Sequence, residues 1–186
     1  WLRRETPRVR KALESASRHF DSSDELTVNT LEAVYGQENS FGILMGQRGS
    51  TGAAGHFQFK PRTAREYGLI VSMENDQRFD MDRASSAAAR YLKDLNTWFG
   101  TRTRLGEGLR TIPVKSVSER KKFVLGAFNA GQGSVAGAQR RAERAGKNPK
   151  LWNDVSKYLS LEAQQYVEKV PVYEAEFSKK SPANKT

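Results

Sequence analysis

The chain has 186 residues, none of them cysteine, and a formal net charge of +10 at pH 7. This length suffices for one domain with a sizeable core, while the absence of cysteine excludes disulfides and thiolate chemistry. No run approaches the roughly 20 apolar residues of a membrane helix. The two histidines, His19 and His56, are too far apart in the sequence to suggest a histidine metal site. The positive charge favours an anionic partner but does not choose among nucleic acid, anionic lipid and acidic wall polymers.

Helical periodicity predicts the first two elements. Thr6 and Pro7 form a helix start, and apolar residues then follow at helical spacing as far as Phe20. Residues 21–24 break this pattern and are expected to cap a second helix, which begins near Val28.

The second helix ends on a carboxylate. Val28, Leu31, Tyr35 and Glu38 follow one another at offsets of three and four, which places them in one stripe of a helix. Because three of the four are apolar or aromatic, the stripe is expected to face the core. Burial would raise the pKa of Glu38 and suit it to donate a proton near neutral pH. The alternative is that Glu38 lies at the helix end and faces solvent.

A glycine-rich loop follows over residues 42–55, with five glycines and neighbouring serine and threonine. Pro61 is expected to open a short helix that Gly68 closes, and Asp80 to cap a long helix that ends at Gly100. Residues 101–117 are predicted to form a basic, exposed and mobile loop. This glycine-rich loop is unlike a phosphate-binding loop, since it lacks a Gly-Lys-Ser/Thr ending and follows no strand.

The remaining chain also reads as helices, with Ser118 and Ser134 as expected caps and Pro171 as an expected kink. Only residues 54–59 and 111–117 are candidates for a short ribbon. The fold class is therefore all-α, with one domain over residues 1–177. Residues 178–186 are expected to be a disordered basic tail. Because the chain begins at Trp1 without an initiator methionine, any signal or anchor segment is expected to lie outside it.

Four short motifs occur in order along this helical framework: residues 38–40, 50–59 with 61–64, 127–131, and 164–170. Their order and chemistry resemble the lytic transglycosylases of the lysozyme-like superfamily, over roughly residues 24–177. The segment 133–159 is most similar to the branch of membrane-bound lytic transglycosylase F. The resemblance implies a lysozyme-like fold, with the substrate cleft between the Glu38 helix and the C-terminal helices.

The resemblance also implies a reaction on the glycan strands of bacterial peptidoglycan. Glu38 would protonate the oxygen that links N-acetylmuramic acid to N-acetylglucosamine, and would then accept the proton of the muramic acid C6 hydroxyl as a 1,6-anhydro ring closes. Most glycosidases need a second carboxylate. No cofactor or metal is implied, and we expect a monomer in the periplasm or cell envelope that binds peptidoglycan and not nucleic acid.

The other site residues are assigned by the same resemblance, with three departures from the family pattern. Gln58 and Asn129 would bind substrate, and Phe57 would offer an apolar wall to a sugar. Asn39 replaces the usual serine and would donate a hydrogen bond to the substrate or to Glu38, and the neighbouring Ser40 is also expected to bind substrate. His56 and Phe128 replace a leucine and a tyrosine, with His56 the candidate pH sensor. Tyr166 either points into the cleft or packs in the core.

Three other functions remain open at this stage. A hydrolysing muramidase on the same fold would need a base to activate water, for which Asp76, Asp80 and Asp82 are candidates. A wall-binding domain that has lost turnover would be compatible with the three departures. A basic helical nucleic-acid binder would match the charge, but no docking motif supports it.

Overall fold

The computed structural model of the chain describes residues 5–179 and consists mainly of helices, as predicted. These are α1 (Pro7–Ser17), α2 (Val28–Asn39), α3 (Pro61–Glu66), α4 (Met81–Gly100), α5 (Val117–Ala130), α6 (Gln132–Arg144), α7 (Trp152–Val155) and α8 (Leu161–Lys179). Strands β1 (Arg104–Gly106) and β2 (Leu109–Arg110) form one antiparallel ribbon. Short 3₁₀ turns cover Gln77–Phe79 and Ser156–Tyr158.

The chain forms two compact units, and two of the four boundaries between them fall within α4 and α8. Within the described residues, the first unit comprises 5–21, 26–91 and 170–179, and the second comprises 22–25 and 92–169. The single catalytic domain over 1–177 stays a prediction. Helix α8 includes Ser178 and Lys179, and the rest of the expected tail lies outside the described residues. None of the described helices combines the length and the apolar character needed to cross a bilayer.

Several expected caps are one turn from their actual positions. Thr27, and not residues 21–24, caps α2, where its backbone N–H donates to the Thr30 hydroxyl at 3.0 Å. Ser116, and not Ser118, caps α5 by accepting from the Glu119 N–H at 3.3 Å. Helix α6 already includes Ser134, and α8 continues through Pro171. The Thr6 cap of α1 is confirmed, since its hydroxyl accepts from the Val9 N–H.

Helix α2 occupies the core of the first unit. Leu31, Val34 and Tyr35 are buried on it, and so is Glu32, which is only 1% exposed. Arg10 of α1 donates a hydrogen bond to this buried carboxylate and neutralises it. The buried carboxylate of α2 is therefore Glu32, whereas Glu38 is half-buried.

The second unit is built around α5 and the indole of Trp152. The ring lies against Gly126, where a Cβ would come within 2.3 Å of the indole, and the Glu119 carboxylate accepts from the backbone N–H of Trp152 at 2.6 Å. Gln139 on α6 is fully buried and holds Ile112 by two hydrogen bonds, with its oxygen accepting at 3.0 Å and its nitrogen donating at 2.9 Å. The predicted mobile loop over 101–117 is therefore wrong in part, because this segment contains the anchored β1–β2 ribbon.

Candidate active site

Glu38 lies in the last turn of α2, directly before a sharp change in chain direction. Ser40, Phe41 and Gly42 have φ values of 54°, 57° and 91°, so three consecutive residues adopt the left-handed region. This conformation is unfavourable for residues other than glycine and needs support from the surrounding structure. The end of α2, on which the half-buried Glu38 lies, is thereby held against the beginning of the glycine-rich loop.

An aromatic cluster supports this helix end from within the first unit. The Tyr35 ring, 2% exposed, contacts the rings of Phe41, His56 and Phe57 at centroid distances of 5.6, 5.9 and 5.7 Å. Gly36 is needed for this packing, because a Cβ there would lie 2.4 Å from the Phe41 ring. Phe57 is only 1% exposed, so the predicted apolar wall for a sugar is wrong and this side chain belongs to the core.

Asn39 joins the helix end to the glycine-rich loop. Its side chain is fully buried, donates to the carbonyl of His56, and accepts from the Gly42 N–H at 2.9 Å. A short amide is well suited to this bridging of local backbone groups. The expected contact between Asn39 and substrate is therefore wrong. Ser40 is half-buried, and within residues 5–179 its hydroxyl makes no hydrogen bond.

Gln58 holds the glycine-rich loop together. Its amide nitrogen donates to the carbonyls of Leu44, Met45 and Gly55 at 3.3, 3.2 and 2.8 Å. Residue 58 itself has a φ of 52°, which turns the side chain back toward the loop. The amide nitrogen is thus committed to the protein, and the amide oxygen is the atom that is left to accept a hydrogen bond from a ligand.

A buried ion pair fixes the same loop from its other side. Arg78 and Asp76 have no exposed side-chain surface and contact each other at 2.8 Å. The Arg78 guanidinium also donates to the carbonyls of Ser50, Gly52 and Phe59 at 2.9, 2.7 and 3.0 Å. Burial acts to raise the pKa of Asp76, but hydrogen bonds from Arg78 and the Gly49 N–H outweigh it and lower the pKa.

His56 lies beside the ion pair and Tyr35. Its Nε2 donates to the carbonyl of Phe79 at 3.1 Å, which leaves Nδ1 as the unprotonated nitrogen of the neutral ring. Burial lowers the pKa of His56, against the raising effects of this hydrogen bond and of Asp80. Its role as a pH sensor stays a prediction.

The second unit holds the other predicted site residues. Asn129, half-buried at the end of α5, donates its amide nitrogen to the Glu162 carboxylate at 3.3 Å. Sequence reasoning missed Glu162, because a glutamate in the first turn of a helix is expected for electrostatic reasons alone. Phe128 is half-buried, and Tyr166 is 3% exposed, which matches the packed-core alternative.

Residues 18–151, which include Glu38, the glycine-rich loop and Asn129, match the model of the Transglycosylase SLT domain. The chain belongs to this family. The resemblance to lytic transglycosylases is thereby confirmed, and the lysozyme-like fold of the SLT domain agrees with the helical architecture described above.

Curated relatives of the SLT domain are similar over most of the chain. They include membrane-bound lytic murein transglycosylase F of Shewanella loihica (32% identity over 61% of the chain and 20% of the relative) and of Shewanella oneidensis (29% over 81% and 28%). Membrane-bound lytic murein transglycosylase D of Escherichia coli K12 is 31% identical over 63% of the chain and 22% of the relative. The chain therefore spans about a fifth to just over a quarter of the length of these relatives, and the F branch stays a prediction.

The three aspartates considered as bases for a hydrolysing muramidase differ in their surroundings. Asp76 is buried against Arg78. Asp80 accepts from the Arg83 N–H at 3.0 Å as the cap of α4, and Asp82 is 72% exposed and lies 3.9 Å from the Arg8 guanidinium. Burial in the ion pair argues against Asp76 as a water-activating base, whereas Asp80 and Asp82 stay candidates.

Replacing Asn39 and replacing Ser40 are expected to have opposite effects. Asn39→Ala removes two hydrogen bonds at a buried position and should lower the free energy of unfolding by about 1–3 kcal/mol. Ser40→Ala should leave stability within about 0.5 kcal/mol and raise KM. Urea unfolding and sacculus digestion, measured on both variants, check this. A stability loss for Ser40→Ala equal to that for Asn39→Ala would contradict the assignment.

Gln58 should tolerate alanine better than glutamate. Gln58→Ala leaves the carbonyls of a partly exposed loop to water and should cost about 1–2 kcal/mol. Gln58→Glu keeps the shape but turns a donor into an acceptor that faces three carbonyls, so both stability and sacculus clearance should fall further. If Gln58→Glu retains wild-type stability, the amide nitrogen does not hold the loop.

Proposed function

We propose that the chain is a peptidoglycan lytic transglycosylase that cleaves the β-1,4 bond between N-acetylmuramic acid and N-acetylglucosamine. The observation that carries this proposal is the position of Glu38. It lies within the SLT match, half-buried in the last turn of α2, on a helix end fixed by Asn39 and by an aromatic cluster.

Glu38 would act as both acid and base. Its protonated carboxyl gives a proton to the glycosidic oxygen while the bond from that oxygen to muramic acid C1 breaks. The resulting carboxylate then takes the proton of the C6 hydroxyl as that oxygen bonds to C1. The proton count returns to its starting value, no water is consumed, and the product ends in a 1,6-anhydro ring.

This reaction requires only one carboxylic acid, which first donates and then accepts a proton. A hydrolase needs a second group to orient water or to trap the sugar. Asp76 is buried in an ion pair with Arg78, Asp80 caps α4, and Glu32 is buried against Arg10, while Asp82 is exposed. An intramolecular nucleophile avoids the entropy of capturing water, which is worth about 7–11 kcal/mol for well-aligned groups.

Several other side chains are proposed to hold a sugar. The Ser40 hydroxyl is available for a hydrogen bond, and Ile43 and Leu44 directly beyond it are 57% and 62% exposed. Apolar groups of this kind match the faces of sugar rings and the methyl groups of N-acetyl substituents. These two residues, and not Phe57, are proposed as the apolar contacts. The Gln58 oxygen and Asn129 remain proposed hydrogen-bonding groups for the substrate.

We place this function in the bacterial cell envelope, in the periplasm, where peptidoglycan is found. The curated relatives are named membrane-bound murein enzymes, which supports this location. The chain is proposed to act on glycan strands as a monomer and to bind no nucleic acid.

Bond specificity tests the proposal. The purified chain should release soluble muropeptides from sacculi, and new non-reducing ends should be N-acetylglucosamine. Mass spectrometry of the released fragments identifies these ends. New non-reducing ends on N-acetylmuramic acid, or no release above that of a heat-inactivated sample, would contradict the proposal.

A further inference from the structure

The β1–β2 ribbon places two arginines opposite each other. Arg104 of β1 and Arg110 of β2 are cross-strand partners, and Cβ atoms at such positions lie about 4.5–5.5 Å apart on one face. Both residues are exposed, and so is Arg102, two positions before Arg104. The guanidinium groups of the pair thus leave the same face of a short ribbon.

No carboxylate within residues 5–179 neutralises these arginines. Neither an ion pair nor a side-chain hydrogen bond engages Arg102, Arg104 or Arg110 in the described chain. The one acidic residue of segment 101–115 is Glu107, at the ribbon tip with a φ of 44°. Within the described residues it makes no ion pair either. The positive charges of these three arginines are therefore available to bind an anionic ligand.

This arrangement costs stability, because like charges directly opposite each other on adjacent strands repel. The ribbon is nevertheless well anchored. The Thr111 N–H donates to the Thr103 carbonyl at 2.9 Å, the Thr111 hydroxyl donates to the Trp98 carbonyl at 2.7 Å, and the buried Gln139 holds Ile112. Unfavourable local arrangements in proteins occur mainly at functional sites. Here the unfavourable pair of arginines lies on a ribbon that these hydrogen bonds hold in place.

We propose that Arg104 and Arg110, with Arg102, form a docking surface for the carboxylates of the short peptides carried by the glycan strand. This inference rests on the proposed function, which supplies the polymer. Guanidinium groups bind carboxylates through two parallel hydrogen bonds. Each exposed contact is weak, but carboxylates that repeat along a polymer keep such a surface occupied.

The surface suits carboxylates better than nucleic acid. Single-stranded nucleic acid needs aromatic side chains on which bases stack, and segment 101–115 contains no aromatic residue. Long basic grooves that follow a phosphate backbone are also absent from a ribbon of five strand residues.

The test compares binding by two charge-matched variants. Both are made in a Glu38→Gln background so that sacculi are not consumed. Arg104→Gln/Arg110→Gln removes two charges from the ribbon, and Arg141→Gln/Arg144→Gln removes two from the exposed face of α6. In co-sedimentation with sacculi, the ribbon variant should bind about 3- to 10-fold more weakly, the range for two exposed ion pairs, and the α6 variant should bind like its parent.

A second arm identifies the ligand. On sacculi whose carboxyl groups have been converted to amides, the ribbon variant and its parent should bind equally. In the absence of sacculi, the melting temperature of the ribbon variant should equal or exceed that of its parent, since a like-charge pair is removed. This result excludes misfolding as the cause of weaker binding.

Four outcomes would overturn the proposal: equal losses of binding for the two variants, no loss of binding for the ribbon variant, a loss of binding that persists on amidated sacculi, or stronger competition by DNA or anionic vesicles than by free stem peptides.

Cleavage of peptide-free glycan strands by the wild-type chain is measured in parallel. Cleavage without ribbon-dependent binding refutes the docking surface alone, and no cleavage refutes the proposed function.

Discussion

Glu38→Gln is expected to reduce sacculus clearance by at least about 10²–10⁴-fold, the usual contribution of general acid catalysis, since one residue serves both proton transfers. Stability should change by less than about 0.5 kcal/mol, because glutamine keeps the shape of a half-buried side chain at the end of α2. Clearance is followed by turbidity, and stability by thermal melting.

Glu32→Gln is the matched control, six residues earlier on the same helix. Glu32 is 1% exposed and paired with Arg10, so the variant weakens a buried hydrogen bond while Arg10 keeps its pairing with Glu14 at 2.9 Å, and the free energy of unfolding should fall by about 1–3 kcal/mol. Its folded fraction should retain turnover. Wild-type clearance by Glu38→Gln, or complete inactivity of folded Glu32→Gln, would place the chemistry elsewhere.

Arg78→Met is expected to be among the most destabilising single substitutions, by about 3–5 kcal/mol. It leaves the Asp76 carboxylate buried without its cation, and three carbonyls around the glycine-rich loop lose their donor. Because this loop follows Glu38, turnover should fall with stability. Urea unfolding measures the loss, and Arg62→Met, which breaks a pair whose arginine is 91% exposed, should change little.

The double variant Asp76→Asn/Arg78→Met separates charge from packing. Asparagine keeps an acceptor for the Gly49 N–H while removing the uncompensated charge, so the double variant should be more stable than Arg78→Met alone. Since the pKa of Asp76 is lowered in the folded state, the stability it contributes is present above its unfolded pKa of about 3.9 and lost as pH falls below it. Equal stability of the single and double variants would contradict the ion-pair account.

The helices could be predicted because their signals are local. Thr6 and Pro7 begin α1, and the stripe from Val28 to Glu38 gives the course of α2. The same stripe located Glu38, five glycines located the loop over 42–55, and the family resemblance gave both an expected role. The cap of α2 was misplaced, since residues 21–24 and Thr27 are all acceptable capping types within one turn.

What could not be predicted depends on partners that are distant in the sequence. Arg78 reaches carbonyls 19 to 28 residues earlier, and arginine is almost never fully buried unless paired. Gln139 anchors the ribbon from 27 residues away. The motif alone predicted Phe57 at the surface, whereas in the structure its ring packs in the core beside Tyr35.

The most direct test of the account is digestion of sacculi in ¹⁸O-labelled water. If Glu38 passes the proton between the glycosidic oxygen and the C6 hydroxyl, the released muropeptides should end in 1,6-anhydro-N-acetylmuramic acid. They should carry no label and be lighter by one water than their reducing counterparts. Reducing ends labelled at C1 as the main species would contradict the account and make the protein a muramidase.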